Sequence, residues 1–133
     1  MRNLKYQEKI DDKCNLSIYT EKETLAYRWV FSDIEDERNF LPPYIRNPNR
    51  TNDNCRVWCL SFFDSLENAK KRLAEITKHN KNLYKKLGTH VAEGELEKED
   101  GIISEVDSQG HFGMFEYVKT DLTEKFQVIG SSR

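Results

Sequence analysis

Cys55-Arg56-Val57-Trp58-Cys59-Leu60-Ser61-Phe62-Phe63, continuing into Asp64-Ser65-Leu66-Glu67, is the stretch whose reading decides the fold. Its apolar residues occupy both alternating sets, the pattern of a strand covered on two sides, so it is expected at the centre of a sheet. Asp64 can accept from the free amides of a helix start, and Glu67, three residues on, can reach back as in a capping box. Leu66, Ala69, Leu73, Ile76, Leu83, Tyr84 and Leu87 then recur mostly three, four or seven residues apart, and Gly88 suits a helix C-terminus. One main helix over about 65–87 is predicted, with a break near 78–82.

Upstream, Leu25-Ala26-Tyr27-Arg28-Trp29-Val30-Phe31 is short, aromatic and β-branched, and reads as a strand. Residues 1–24 are polar and read as an arm or an edge strand near 14–20. Between 32 and 54 lie all three prolines, Pro42, Pro43 and Pro48, and a polar run with turn chemistry, which predicts a long loop. Downstream, short strands are expected over 91–97, 102–106, 112–118 and 125–129, the middle two as a hairpin, with a fraying tail at 131–133. The sum is an α+β domain over 25–130: a mostly antiparallel sheet of five to six strands packed on one main helix.

Composition bounds the function classes. Leu, Ile, Val and Phe make up 32 of the 133 residues, about 24%, enough for one core. The formal net charge is only −2 with 33% charged residues, so the total charge argues against a nucleic-acid partner. No apolar run approaches the roughly 20 residues of a membrane span. Cys14, Cys55 and Cys59 cannot all pair within one chain, and no apolar run near Met1 resembles a signal, so the expected setting is cytoplasmic. Asn49-Arg50-Thr51 matches a glycosylation sequon, which has no meaning in that setting. Local charge is bipolar. Lys70, Lys71, Arg72, Lys78, Lys81, Lys85 and Lys86 face only Glu67 and Glu75 in the helix, whereas seven acids face only Lys98 between 93 and 107. Opposite patches of this kind suit another protein or self-association as partner, although solvated faces account for most such runs.

Cys55 and Cys59 are separated by three residues rather than two, and His79, His90 and His111 show no ligand spacing with them, so no metal site and no cofactor are expected. In an extended strand the two thiols would lie about 13 Å apart and act as buried small hydrophobes. A Cys59–His111 nucleophile pair is a chance combination of common residues. Glu93, Glu95 and Glu97 alternate on one strand face, where one acid could line a cleft, and Gly94 would give a ligand room. His111, Gly113, Phe115 and Tyr117 share another face and could wall a flat ligand, with His111 and Tyr117 as polar edges.

Tyr27-Arg28 on an early strand, Ser61 on a strand leading into a helix, and Glu93-Gly94-Glu95 on a later strand together resemble the Arg, Ser, Glu-x-Glu order of the ADP-ribosyltransferase superfamily. The resemblance covers about ten residues, and Ser61-Phe62-Phe63 departs from the family's Ser-Thr-Ser pattern. It implies an NAD site with Arg28, Ser61 and Glu95 as catalytic residues and Tyr27 and Glu93 beside them. The leading expectation is a small binding or accessory module, and NAD-dependent ADP-ribosyl transfer is the alternative. The two differ by whether Arg28, Ser61 and Glu95 converge on one cleft.

Overall fold

The computed structural model describes residues 3–50 and 52–133; Thr51, the last residue of the sequon, lies outside them. Six strands form one sheet: β1 (Thr24–Val30), β2 (Leu60–Phe63), β3 (His90–Leu96), β4 (Gly101–Ile103), β5 (His111–Glu116) and β6 (Phe126–Ser131). Their order is β4-β5-β2-β1-β3-β6 and every pairing is antiparallel. The described helices are α1 (Gln7–Asp11), α2 (Pro43–Arg46), α3 (Leu66–Ile76) and α4 (Tyr84–Leu87). The fold is α+β with one main helix, and β2 sits inside the sheet between β5 and β1. No described helix is long and apolar enough to cross a membrane.

Strand alternation divides the side chains between two faces. On one, Ala26, Val30, Phe62, Ala92, Phe112 and Phe126 pack into a core closed by Ile34, Phe40 and Leu122. Each fully buried aromatic or aliphatic side chain there contributes about 1.5–3 kcal/mol. Arg28 also lies in this core: its Nε donates to the Asn39 carbonyl at 2.8 Å, and another guanidinium nitrogen to the Ser61 carbonyl at 2.8 Å. The guanidinium stacks over the Phe62 ring at 5.5 Å, and burial lowers its pKa to about 10. Asn39, itself buried, accepts from the Phe31 amide and donates to the Asp33 and Ile34 carbonyls. The described residues of the 32–54 stretch are thus tied to the sheet through Asn39 and carry short helical turns, including Glu37–Phe40 and α2, within the expected loop.

The second face carries α3. Phe63, Ala69 and Val91 pack together with Trp29, whose indole donates to the Ala69 carbonyl at 2.9 Å. The helix cap is Ser65, one residue later than the capping box predicts: its hydroxyl accepts from the Asn68 amide at 3.0 Å. Asp64 is occupied elsewhere, donating its amide to the Gly110 carbonyl and accepting from the Asn68 side chain. The helix does break where the periodicity falters, α3 ending at Ile76 and α4 resuming at Tyr84. Gly88 follows with φ 149°, and a Cβ there would come within 2.8 Å of the Val30 nitrogen, so only glycine fits.

Three expectations change. The strand predicted from Cys55 begins only at Leu60, because the Asn54 side chain accepts from the Arg56 amide and starts a 3-10 turn over Cys55–Trp58. That turn places Trp58 under Tyr44, 4.8 Å between ring centres, and beside Tyr6 at 5.6 Å. It also brings Cys55 to Cys14, and the two form a disulfide across 41 residues, so Cys55 is not the buried free thiol expected of it. The N-terminal arm is anchored by that bond, by buried Leu4 and Ile10, and by bridges from Leu4 to Tyr117 and from Thr20 to Ile103. Nor does the C-terminus fray: Ser131 belongs to β6, and buried Ser132 bonds the Thr89 and Gly88 carbonyls.

Candidate functional site

The helix-bearing face is not fully covered. Between α3, the 3-10 turn at Cys55–Trp58 and the 104–109 segment lies a cleft of about 570 Å³. Its floor is set by register: Ser61 on β2 stands opposite Gly113 on β5, and Phe63 opposite His111. Tyr19, Trp29 and Phe63 supply ring walls, while Arg56, Arg72, Gln109 and Ser104 stand around it. Gly113 leaves a gap, as its sequence position suggests, but the Cys59 sulfur takes part of it: a Cβ at 113 would lie 3.0 Å from that atom.

His111 is the centre of the polar groups. Its Nε2 is 3.0 Å from Ser61 Oγ, and its Nδ1 is 3.8 Å from Asp107 Oδ2. The Phe63 ring meets the imidazole edge-on at 5.5 Å. Burial pushes the His111 pKa below its ordinary value; Asp107 pulls it back up, and Arg56 and Arg72 add to the lowering. The lowering favours the uncharged ring at neutral pH, in which one nitrogen donates and the other accepts. Asp107 is held by its own turn, its Oδ1 accepting from the Gln109 amide at 2.8 Å and the His111 amide at 2.9 Å. Those backbone bonds, the His111 amide foremost, keep its carboxyl below the usual range and leave Oδ2 turned toward the ring.

Burial raises the Cys59 thiol pKa, and the thiol donates to the Arg56 carbonyl at 3.3 Å, both of which favour the protonated, less nucleophilic form.

The residues singled out in the sequence separate. Ser61 and His111 meet in the cleft. Arg28 points to the opposite face of the sheet, into the apolar core, and touches only the backbone carbonyl of Ser61. Glu95 is exposed on β3 and pairs with Leu25, whereas the β3 residue level with Ser61, across Trp29, is Val91. Glu95 is thus four residues, about 13 Å, along the strand and two strands away. Arg28, Ser61 and Glu95 do not share a cleft. Tyr27 and Glu93 face each other across β1 and β3, and the hydrogen bond to Glu93 raises the phenol's pKa. Tyr117 donates to Glu21 at 2.7 Å and braces the arm. At Gly94 a Cβ would lie 2.6 Å from the Phe126 ring, so the room there is filled by protein and not left for a ligand.

Asp107, Arg56, Arg72 and Trp29 were not legible as site residues. The Asp107-Ser108-Gln109-Gly110-His111 turn was the available signal, since an aspartate that bonds amides two and four residues on stays beside the histidine. A larger cavity, about 770 Å³, lies by the 117–125 segment; of its charged groups Lys125 pairs with Asp100, and also with Glu97 outside the lining. Among the described residues no group of three or more His, Cys, Asp or Glu is placed to hold a metal ion. No family model, curated protein or solved structure matches this chain.

Proposed function

We propose that the chain is a small binding module whose recognition site is the cleft over β2 and β5, and that it takes a ligand with an anionic group on a flat apolar body. One observation supports this above the rest: side-chain donors from four separate elements, Ser61, His111, Arg56 and Arg72, surround one cleft walled by Tyr19, Trp29 and Phe63. Among the described residues the Arg56 guanidinium has no ionic or hydrogen-bond partner, and Arg72 has only the 3.3 Å contact with Glu75. Glu105 and Asp107 are also present, but Asp107 spends one oxygen on backbone amides, so the arginines offer the freer charge.

The test is a melting-temperature series with benzoate, phenyl phosphate and benzyl alcohol. The two anions stabilise the protein, by about 2.7 kcal/mol at a hundredfold excess over Kd, and the neutral alcohol does not. Arg56→Ala removes the effect. No shift with either anion at millimolar concentration rejects the site. The NAD-dependent alternative has no observation in its favour, because its three residues lie apart.

A second reading, self-association through charge, rests on the ion pairs within the chain. Among the described residues none joins the α3 lysines to Glu93 or Glu95; the Lys and Arg ion pairs run from Lys5 to Glu116, Lys13 to Asp53, Arg38 to Asp36, Arg72 to Glu75 and Lys125 to Glu97 and Asp100. The cytoplasmic setting inferred from the odd cysteine count also needs revision as a proposal. Disulfides are rare in reducing compartments, so Cys14–Cys55 favours an oxidising one. Alkylation of freshly isolated protein during unfolding without reductant, followed by mass measurement, decides it: one modified thiol means oxidising, three mean reducing.

A further inference from the structure

The cleft contains more than a binding surface needs. A ligand pocket requires donors, but it does not require a serine hydroxyl on one imidazole nitrogen and a carboxylate beside the other. Ser61 Oγ and His111 Nε2 are 3.0 Å apart, within the reach of a proton transfer, and Asp107 Oδ2 is 3.8 Å from Nδ1. The three come from rigid or locally tied backbone. Ser61 is on an interior strand, and its own carbonyl is held from beneath by Arg28 at 2.8 Å. His111 opens β5, and the two backbone amides that bond Asp107 fix the carboxylate relative to the ring. The residue opposite Ser61 is Gly113, so no side chain on β5 stands across from the hydroxyl.

The tautomer follows from the neighbours. A carboxylate beside Nδ1 favours the proton on that nitrogen, which leaves Nε2 as an acceptor for the Ser61 hydroxyl. Half-burial and the two arginines favour the neutral ring at pH 7, and a neutral acceptor is what a general base must be.

We propose that Ser61 is a nucleophile, His111 its general base and Asp107 the residue that positions the imidazole, and that the cleft hydrolyses small carboxylic esters. The activity rests on the cleft being the ligand site proposed above. In the first step the Ser61 oxygen bonds to the ester carbonyl carbon while its proton passes to Nε2. The bond from that carbon to the alcohol oxygen then breaks, and the imidazolium returns the proton to the departing alcohol. In the second step water attacks the acyl-serine carbon and gives a proton to Nε2; the carbon–serine bond breaks, the proton returns to Ser61 and the acid leaves. Ester and water become acid and alcohol, with no change of oxidation state and no other reactant.

The experiment uses the whole chain and a fluorophosphonate probe, which phosphonylates an activated serine with loss of fluoride. Intact mass and peptide mapping are expected to show one adduct, on Ser61, and p-nitrophenyl acetate is expected to be cleaved faster by wild type than by Ser61→Ala. His111→Gln keeps Ser61 but slows labelling by about 10²-fold or more. Asp107→Asn slows it less and moves its pH profile, an effect that loss of a merely structural turn would not give. Circular dichroism of Ser61→Ala, and of His111→Gln, checks that each remains folded. If benzoate or phenyl phosphate binds in the cleft while Ser61 stays unlabelled and both proteins cleave the ester equally, the catalytic inference fails and the binding reading stands. Labelling at serines other than Ser61 also overturns it. If neither anion binds and nothing is labelled, both readings fall. Specific labelling of Ser61 without anion binding supports the nucleophile and rejects the anion preference.

Discussion

The two faces of the sheet are built from the same strands and end in different states. On the face of Ala26, Val30, Phe62 and Phe126, rings and aliphatic groups fill the space, and the buried charged groups are tied within the protein, Arg28 to the carbonyls of Asn39 and Ser61 and Glu116 to Lys5. On the face of Trp29, Ser61, Phe63 and His111, α3 spans only eleven residues and the arm lies to one side, so polar groups between them meet a solvent-open cleft. The difference teaches that coverage, and not composition alone, decides where this protein can do chemistry. A polar group on the closed face is a structural tie, and a polar group on the open face can meet a ligand.

The sharpest way to break that contrast is by truncation. Phe62→Ala should cost about 3–5 kcal/mol by denaturant midpoint, as for aromatic losses in a filled core. Ser61→Ala, its neighbour on the open face, should cost only about 1 kcal/mol, the worth of one hydrogen bond. Equal losses would mean that the cleft is as closed as the core. Trp58→Ala should also fall near 3–5 kcal/mol, because Trp58 is buried under Tyr44 and bonds Asp53 at 2.7 Å. That residue shows that the open face is tightly packed wherever the arm does cover it.

Next in size is the disulfide. Cys14→Ser releases a 41-residue loop and should lower stability by about 4 kcal/mol at most in the chain-entropy account. Hydrogen exchange should show the loss concentrated in residues 3–20 while β1 and β3 stay protected. Uniform loss of protection would show that the arm is part of the core rather than a strap on the open face.

Smaller, and specific to the cleft, is the titration of His111. Its folded-state pKa is lowered by burial, with Asp107 opposing and Arg56 and Arg72 assisting, so the folded protein binds its proton less readily than the unfolded chain does. Stability from this group is therefore present above the ordinary histidine pKa of about 6.5 and is lost as pH falls through it toward the folded-state value. An NMR titration should place the His111 midpoint below 6.5, and His111→Gln should flatten stability across that window. A midpoint above 6.5 would mean that Asp107 outweighs burial and that the ring is charged in use.

The smallest expected effect concerns the outer surface. If the α3 lysines of one copy meet Glu93 and Glu95 of another, sedimentation should shift toward monomer as salt rises, since exposed charges are screened beyond roughly 8 Å at 0.15 M. A profile unchanged by salt leaves both patches solvated.

What the sequence by itself determined follows from short-range periodicity. Alternation at 25–31 and 91–97, the three-and-four spacing from Leu66, the faltering near 78–82 and Gly88 specify strands, helix, break and stop, because backbone geometry repeats within a few residues and leaves its mark there. Two of the cleft's groups, Ser61 and His111, were visible as polar residues on apolar strands. Only the tertiary structure decided the rest. Alternation does not say which face of a strand is covered, so it placed Arg28 with Ser61 in sequence when the sheet puts their side chains on opposite sides. Pairing across 41 residues joins Cys14 to Cys55, and pairing of β2 with β5 brings Ser61 to within 3.0 Å of His111, fifty residues on. Contacts of that separation depend on how whole elements pack, and no local pattern in the chain records them.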